Sequence, residues 1–103
     1  MNNTPNIDVI MAVYNGSNYL EQQIISIYNQ SLKPKKLIIR DDLSTDTSIE
    51  MLRYFKSKWP EWINLYLGEK RFGIKGNFEE LINLSDSPYI ALADQDDIWH
   101  LNK

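Results

Sequence analysis

Three aspartates lie within four positions close to the end of the chain, at Asp94, Asp96 and Asp97. They follow a short apolar segment, residues 89–93, that has the length of a buried strand. Carboxylates this close together repel one another, so a fold that gathers them usually supplies a cation. Oxygen ligands of this kind suit Mg²⁺ or Mn²⁺, above all when the metal also contacts a phosphate. The spacing therefore predicts a metal site for a phosphorylated ligand, with an acidic turn that caps a helix as the alternative.

The segments that would position these acids alternate between strand and helix patterns. Segments of strand length lie at residues 7–13, 37–40, 63–67 and 89–93. Segments with helical spacing lie between them, at residues 19–29, from 44–46 up to Pro60, and at 77–84, with a loop over 68–75. This β-α-β-α-β-α-β order predicts an α/β fold, three-layered and Rossmann-like, whose mostly parallel sheet is covered on both faces.

Polar residues follow three of the predicted strands. Ligands of parallel sheets bind beyond the carboxyl ends of the strands, where the strand order reverses. Tyr14 and Asn15 follow the first strand, the Asp41-Asp42 pair follows the second, and the three-aspartate cluster follows the fourth. We therefore expect these side chains to converge at one edge of the sheet. Asp41 has a structural alternative, a hydrogen bond to a neighbouring backbone amide, and Asp46 is expected to cap the second helix.

Composition narrows the class of protein. With 103 residues the chain can form one domain of modest size. Its net charge of -3 gives no support for nucleic-acid binding, and the absence of cysteine excludes disulfides and thiolate metal sites. Residues 1–6 are expected to form a flexible arm that is too polar for a signal peptide. No apolar run reaches the roughly 20 residues of a membrane span, so the cytoplasm is the expected location.

Several motifs occur in order along the chain, at residues 7–16 (IDVIMAVYNG), 19–20, 26–31, 37–48 (LIIRDDLSTDTS) and 94–99 (DQDDIW). Together they resemble the N-terminal, nucleotide-binding half of family 2 glycosyltransferases with the GT-A fold, and 94–99 resembles the DxD motif of that family. The DQDDIW form, with FG at 72–73 and NF at 77–78 upstream, is most similar to bacterial rhamnosyltransferase-like members. The resemblance implies a GT-A half-domain over residues 7–103 that is truncated after the DxD motif.

The resemblance assigns roles at the first two strand ends. Ala12, Val13 and Tyr14 would line the nucleobase pocket, with the Tyr14 ring against the base, and Asn15 is grouped with these nucleotide-sugar-binding residues. Asp42 would accept a hydrogen bond from a base N–H. An ionised carboxylate is a strong acceptor for such a bond.

The resemblance also assigns roles around the metal. Asp94 and Asp96 would form the DxD pair that contacts the ribose and holds Mn²⁺ or Mg²⁺ against the diphosphate, and Asp97 would share the metal. Gln95 is grouped with the nucleotide-sugar-binding residues, although alternate residues of an extended segment point away from one another.

Three residues between the third and fourth strands complete the implied site. Arg71 and Lys75 would reach the diphosphate, with ordinary solvated loop charge as the alternative. Asn77 matches an asparagine that the rhamnosyltransferase-like subgroup carries, and capping of the third helix explains it equally.

The function implied by the resemblance is transfer of a sugar from a UDP- or dTDP-linked donor to a glycan or lipid-linked acceptor, in bacterial surface polysaccharide synthesis. The catalytic base would lie beyond residue 103, so the fragment is expected to be inactive alone. The part that would follow also allows an association with the periphery of the membrane, at its inner face. A noncatalytic nucleotide-binding or assembly module is the alternative. An aspartate phosphotransfer domain fits poorly, because it needs an acid pair where Tyr14-Asn15 stand.

Overall fold

The computed structural model describes residues 7–30, 34–87 and 89–93. Strands and helices alternate in it as the sequence predicts. The elements are β1 (Ile7–Val13), α1 (Leu20–Tyr28), β2 (Lys36–Asp41), α2 (Ser48–Lys58), β3 (Ile63–Leu67), α3 (Gly73–Leu84) and β4 (Tyr89–Ala93). The predicted β-α-β-α-β-α-β order is therefore confirmed.

The strands form one parallel sheet in the order β3-β2-β1-β4. The chain moves outward from β1 to β2 and β3, then returns to the other side of β1 to form β4. The strand order thus reverses at β1, and this is where open parallel sheets bind their ligands. Val13 lies opposite Asp41 in the register, and Met11 lies opposite Ala93, so the carboxyl ends of β2, β1 and β4 lie along one edge.

Each face of the sheet has its own helices. Val9 and Met11 of β1 pack with the apolar residues of α1 and α2, whereas Ile10 and Ile38 pack with Leu81 of α3. This division follows from the alternation of side chains along a strand. Fully burying one such aliphatic side chain contributes about 1.5–3 kcal/mol, so the two faces together fix the sheet between its helices. The predicted three-layer α/β fold is confirmed.

Two helix starts differ from the predictions. The second helix begins at Ser48 and not within 44–46, because the preceding turn is held by side-chain hydrogen bonds described below. The third helix begins at Gly73, inside the segment predicted to be a loop. Glycine disfavours helix, but here the Gly73 N–H donates to a buried carboxylate, and Leu81 packs on the sheet. Within the described ranges, no helix has the length and apolar character needed to cross a bilayer.

Candidate functional site

The ends of β1 and β2 are joined directly at the predicted edge. The Asp42 backbone N–H donates to the Val13 carbonyl at 2.8 Å, one step beyond the last paired residues of the two strands. Because side chains alternate, Arg40 and Asp42 project toward the α3 side of the sheet and Asp41 toward the α1 and α2 side. The side chains of the two adjacent aspartates therefore lie on opposite sides of the sheet.

The buried carboxylate of Asp42 accepts hydrogen bonds at both of its oxygens. Its Oδ1 accepts from Arg40 Nη1 at 2.8 Å and from the Phe72 N–H at 2.8 Å. Its Oδ2 accepts from Arg71 Nε at 3.0 Å and from the Gly73 N–H at 3.0 Å. A carboxylate offers about four acceptor positions, and the side chain is only 2% exposed, so its capacity is filled.

These contacts set the charge of Asp42. Burial raises the pKa of its carboxyl group, but the Phe72 N–H, the Arg40 and Arg71 guanidinium groups and the Gly73 N–H together outweigh burial and hold the pKa below its usual value. The carboxylate is therefore ionised at neutral pH. A base N–H could use it as an acceptor only if one of the present donors withdrew.

Arg40 is a buried residue of this site that the sequence-based assignment left out. Its side chain is 6% exposed and lies under the Phe72 ring, 4.1 Å from the ring centroid. Nη1 also donates to Asn77 Oδ1 at 2.9 Å, and Asn77 Nδ2 returns a hydrogen bond to the Arg40 carbonyl at 3.2 Å. Gly68 allows the approach, because a Cβ there would lie 2.9 Å from Arg40 Cζ. The sequence signal for this role of Arg40 was a charged residue within the apolar segment 37–40, because a buried charge needs a partner.

Arg71 and Tyr14 lie together on the outer side of Asp42. The Arg71 guanidinium carbon lies 3.7 Å from the centroid of the Tyr14 ring, in cation–π contact, while Nε donates to Asp42. The Arg71 side chain is 47% exposed, unlike the buried Arg40. The structure thus brings together Tyr14, Asp42 and Arg71, three of the residues assigned to nucleotide-sugar binding.

Asp41 and Asn15 hold the two turns that follow β1 and β2. Asp41 accepts from the backbone N–H of Ser44 at 2.8 Å and from its hydroxyl, which confirms the structural alternative for this aspartate. The Ser44 hydroxyl also accepts from the Asn15 N–H at 2.8 Å, and Asn15 Oδ1 accepts from the Thr45 N–H at 2.8 Å. Asn15 adopts a left-handed backbone with φ 52°, which asparagine tolerates. Leu43 has φ 61°, a conformation that leucine rarely adopts.

Asp46 supports the start of α2. Oδ1 accepts from the Ser48 N–H at 2.8 Å and Oδ2 from the Ser17 N–H at 3.1 Å. Burial raises the pKa of Asp46, yet the hydroxyl and N–H groups of Ser48 and Ser17 outweigh it and lower the pKa to about 2. The N-cap position itself is Thr47, so Asp46 caps the helix from one residue further out than expected.

The other residues assigned to nucleotide-sugar binding differ in how deeply they are buried. Val13 is buried and Ala12 partly buried at the end of β1, while Lys75 is exposed in the first turn of α3. Asn77 lies inside α3 at 2% exposure, so the helix-capping interpretation is wrong, and its amide bonds to Arg40.

The residues assigned to the metal cannot be placed in this geometry. Asp94, Gln95, Asp96 and Asp97 lie outside the described residues, and their roles stay predictions. Among residues 7–30, 34–87 and 89–93, no group of three or more histidine, cysteine, aspartate or glutamate side chains is arranged to hold a metal ion.

Curated relatives share the pattern over nearly the whole chain. The dTDP-rhamnosyl transferase RfbG of Shigella flexneri is 39% identical over 97 residues, which cover 90% of this chain and 34% of that protein. The putative glycosyltransferase EpsE of Bacillus subtilis is 31% identical over 95% of this chain and 35% of its own length. The chain therefore spans about a third of the length of these relatives.

Solved structures share the fold. A mannosyltransferase from Pyrobaculum calidifontis, in complex with GDP-Man and Mn²⁺, superposes with a TM-score of 0.82 at 22% identity, over 93% of this chain and 29% of that one. TarS 1-349 of S. aureus in complex with UDP superposes with a TM-score of 0.79 at 21% identity, over 93% and 29%. These neighbours are GT-A glycosyltransferases. The model of glycosyl transferase family 2 matches residues 8–103, and the chain belongs to that family as part of its N-terminal region.

Proposed function

We propose that this chain binds the nucleoside-diphosphate sugar that a family 2 glycosyltransferase uses as its donor. The base would stack on Tyr14 and donate a ring N–H to Asp42, at the joined ends of β1 and β2. The observation that carries this proposal is the ionised Asp42 carboxylate beside the Tyr14 ring, at the edge where parallel sheets bind ligands. Stacking on an aromatic ring contributes about 1–3 kcal/mol per base, and a hydrogen bond donated to a carboxylate orients the base in its plane.

The diphosphate would lie toward the end of β4. This strand pairs with β1 in parallel, so its carboxyl end, at Ala93, lies at the same edge of the sheet as the carboxyl end of β1. We propose that Asp94, Asp96 and Asp97 hold Mn²⁺ or Mg²⁺ there, with Gln95 beside the nucleotide sugar. A divalent cation neutralises the charge that develops on a departing nucleoside diphosphate. In support, oxygen-rich donor sets of this kind suit these metals, and the mannosyltransferase neighbour was solved with Mn²⁺.

Basic and polar side chains near this edge have distinct roles in the proposal. Arg71 and Lys75 are exposed and supply positive charge for the diphosphate. Ala12, the backbone of Val13 and Asn15 would form the wall beside the base. The buried Asn77 acts indirectly, by holding Arg40.

The names of two relatives support a proposal for the donor and the pathway. Because RfbG is named a dTDP-rhamnosyl transferase, we propose dTDP-rhamnose as the donor and a glycan or lipid-linked acceptor in bacterial surface polysaccharide synthesis. A relative from Bacillus subtilis, 30% identical, is named a putative teichuronic acid biosynthesis glycosyltransferase, which supports the same class of product. This activity would take place in the cytoplasm, at the inner face of the membrane.

Calorimetric titration of the protein with UDP, dTDP and CDP, with and without Mn²⁺, tests the proposal. UDP and dTDP should bind, more tightly with Mn²⁺, and CDP should bind at least about tenfold more weakly because cytosine has no ring N–H. Tyr14→Leu should weaken UDP binding about tenfold through lost stacking. Equal affinity for CDP and UDP would contradict the base contact, and metal-independent binding would contradict the assigned metal residues.

A further inference from the structure

Arg71 resembles a nucleobase in the way that it contacts this site. Its guanidinium group is planar and carries N–H donors, and it lies 3.7 Å from the Tyr14 ring centroid. The same side chain donates to the Asp42 carboxylate at 3.0 Å. A uracil or thymine ring bound as proposed above would make both of these contacts itself, a stacked face and an N–H donated to a carboxylate.

We propose that Arg71 occupies the nucleobase-binding position in the free protein and that an incoming base must displace it. This inference rests on the proposed function, since it names what the donor has to replace. Arg71 thereby lowers the apparent affinity for any base and acts as a residue that determines specificity.

The geometry identifies Arg71 as the donor that gives way. The Asp42 carboxylate has four donors, and two of them are backbone N–H groups of the segment that starts α3. A third donor, Arg40, is buried at 6% exposure and also bonded to Asn77. Arg71 is 47% exposed, so it can turn into solvent while the backbone and the other donors stay in place. Its departure frees one acceptor position on Oδ2 and one face of Tyr14 together.

Displacement makes the site selective. A ligand that binds at this position must replace both the cation–π contact and the charge-assisted hydrogen bond that Arg71 makes there. Uracil and thymine can do so with a ring face and the N3–H, whereas cytosine has a ring face but no ring N–H to donate. A diphosphate offers the released guanidinium a new partner, because arginine pairs well with phosphate oxygens. The nucleoside alone offers no such partner and bears the whole cost of displacement.

The magnitude follows from the fraction of time that Arg71 is docked. If the two contacts keep it docked about nine-tenths of the time, the apparent dissociation constant of a base rises about tenfold. Arg71→Met removes the competing guanidinium, so it should tighten uridine binding by about tenfold. The same change removes a phosphate partner, so UDP should gain less than uridine or bind more weakly.

The docked state can be tested without any nucleotide. In the free protein the Arg71 Nε–H should give a distinct NMR resonance, shielded by the Tyr14 ring and slowed in its exchange with water. Tyr14→Leu should abolish the shielding, and Asp42→Asn should speed the exchange. An Arg71 Nε–H resonance that responds to neither substitution would overturn the inference while leaving the proposed function standing.

Binding of uridine, cytidine and UDP to the wild type, to Arg71→Met and to Arg53→Met then tests the displacement. Arg53 lies exposed on α2, so its variant controls for the loss of one surface charge. We expect uridine to bind about tenfold tighter only in Arg71→Met, and the ratio of UDP to uridine affinity to fall in that variant alone. Equal weakening of uridine and UDP in Arg71→Met would show that Arg71 is a ligand of the base, and would overturn the inference. If Arg71 is docked but no nucleotide binds either protein, the proposed function fails and the inference fails with it.

Discussion

Replacing Arg40 by methionine is expected to lower the free energy of unfolding by about 3 kcal/mol. The side chain is 6% exposed and donates to Asp42 and Asn77 at 2.8 and 2.9 Å. Methionine occupies a similar volume but leaves a buried carboxylate with one countercharge fewer. Removing one partner of a buried ion pair costs about 3–5 kcal/mol, and the lower end applies here because three other donors remain on Asp42.

Urea unfolding at neutral pH, extrapolated linearly to water, measures this loss. In a domain of this size the melting temperature should fall by more than about 10 °C. Arg53→Met, on the exposed side of α2, should change the free energy of unfolding by less than about 0.5 kcal/mol. Arg40→Lys should lose about 1.5 kcal/mol, because an ammonium group keeps the charge but lacks the planar fork that reaches two acceptors. A loss in Arg40→Met no greater than that in Arg53→Met would refute the role of the buried pair.

A double-mutant cycle separates the pair from the packing around it. Asp42→Asn alone should be destabilising, because it leaves Arg40 buried without its carboxylate. The double variant Arg40→Met/Asp42→Asn should lose less than the sum of the single variants, by at least about 1 kcal/mol. Strict additivity would mean that Arg40 stabilises the protein through packing alone.

Three further features are tested by urea unfolding of substituted variants. Gly68→Ala should lower the free energy of unfolding by about 2 kcal/mol, because the added Cβ would displace Arg40. Gly73→Ala has open space around it, but its φ of +80° should lower the free energy of unfolding by about 1 kcal/mol through backbone strain. Equal losses in the two variants would contradict the close approach at Gly68. Leu43→Gly should raise the free energy of unfolding by about 0.5 kcal/mol by relieving φ 61° at a residue that is 39% exposed, and Leu43→Ala, which keeps a Cβ, should show no such gain. The pKa of Asp46 is lowered to about 2 from 3.8, so its contribution is complete above pH 3.8 and is lost as pH falls toward 2. Asp46→Asn should therefore flatten the fall in stability between pH 4 and pH 2 by about 1 kcal/mol, and an unchanged pH profile would contradict the shift.

The sequence predicted the sheet well because buried parallel strands have a strong local signature. Three of the four strands, β1, β3 and β4, are largely apolar runs of five to seven residues, and their bounds match the prediction. Helix starts were less predictable, because tertiary contacts decide them. Gly73 and Gly76 indicate a loop by propensity, yet both lie in α3, where the first turn is anchored on Asp42.

The candidate site was predictable only in part, since strand ends can be located from a pattern but contacts across the sheet cannot. Tyr14 and Asp42 were assigned to one edge, and the structure places them there. The network behind them depends on residues 37 positions apart in the chain, Arg40 and Asn77, and no local pattern pairs them. The sequence also could not predict that every hydrogen-bond acceptor position of Asp42 is occupied. Two of the donors are backbone N–H groups whose direction depends on where α3 starts.

Asn15 carries a consequence for anyone who recombines sequences of this family. Its amide and backbone reach Ser44, Thr45 and Asp46, roughly thirty residues away, so the turns after β1 and β2 form one interlocked unit. A chimaera that imports only the second turn would inherit donors and acceptors with no counterpart in the first. The two turns should therefore be exchanged as a pair, and natural exchange between relatives should have kept them together for the same reason.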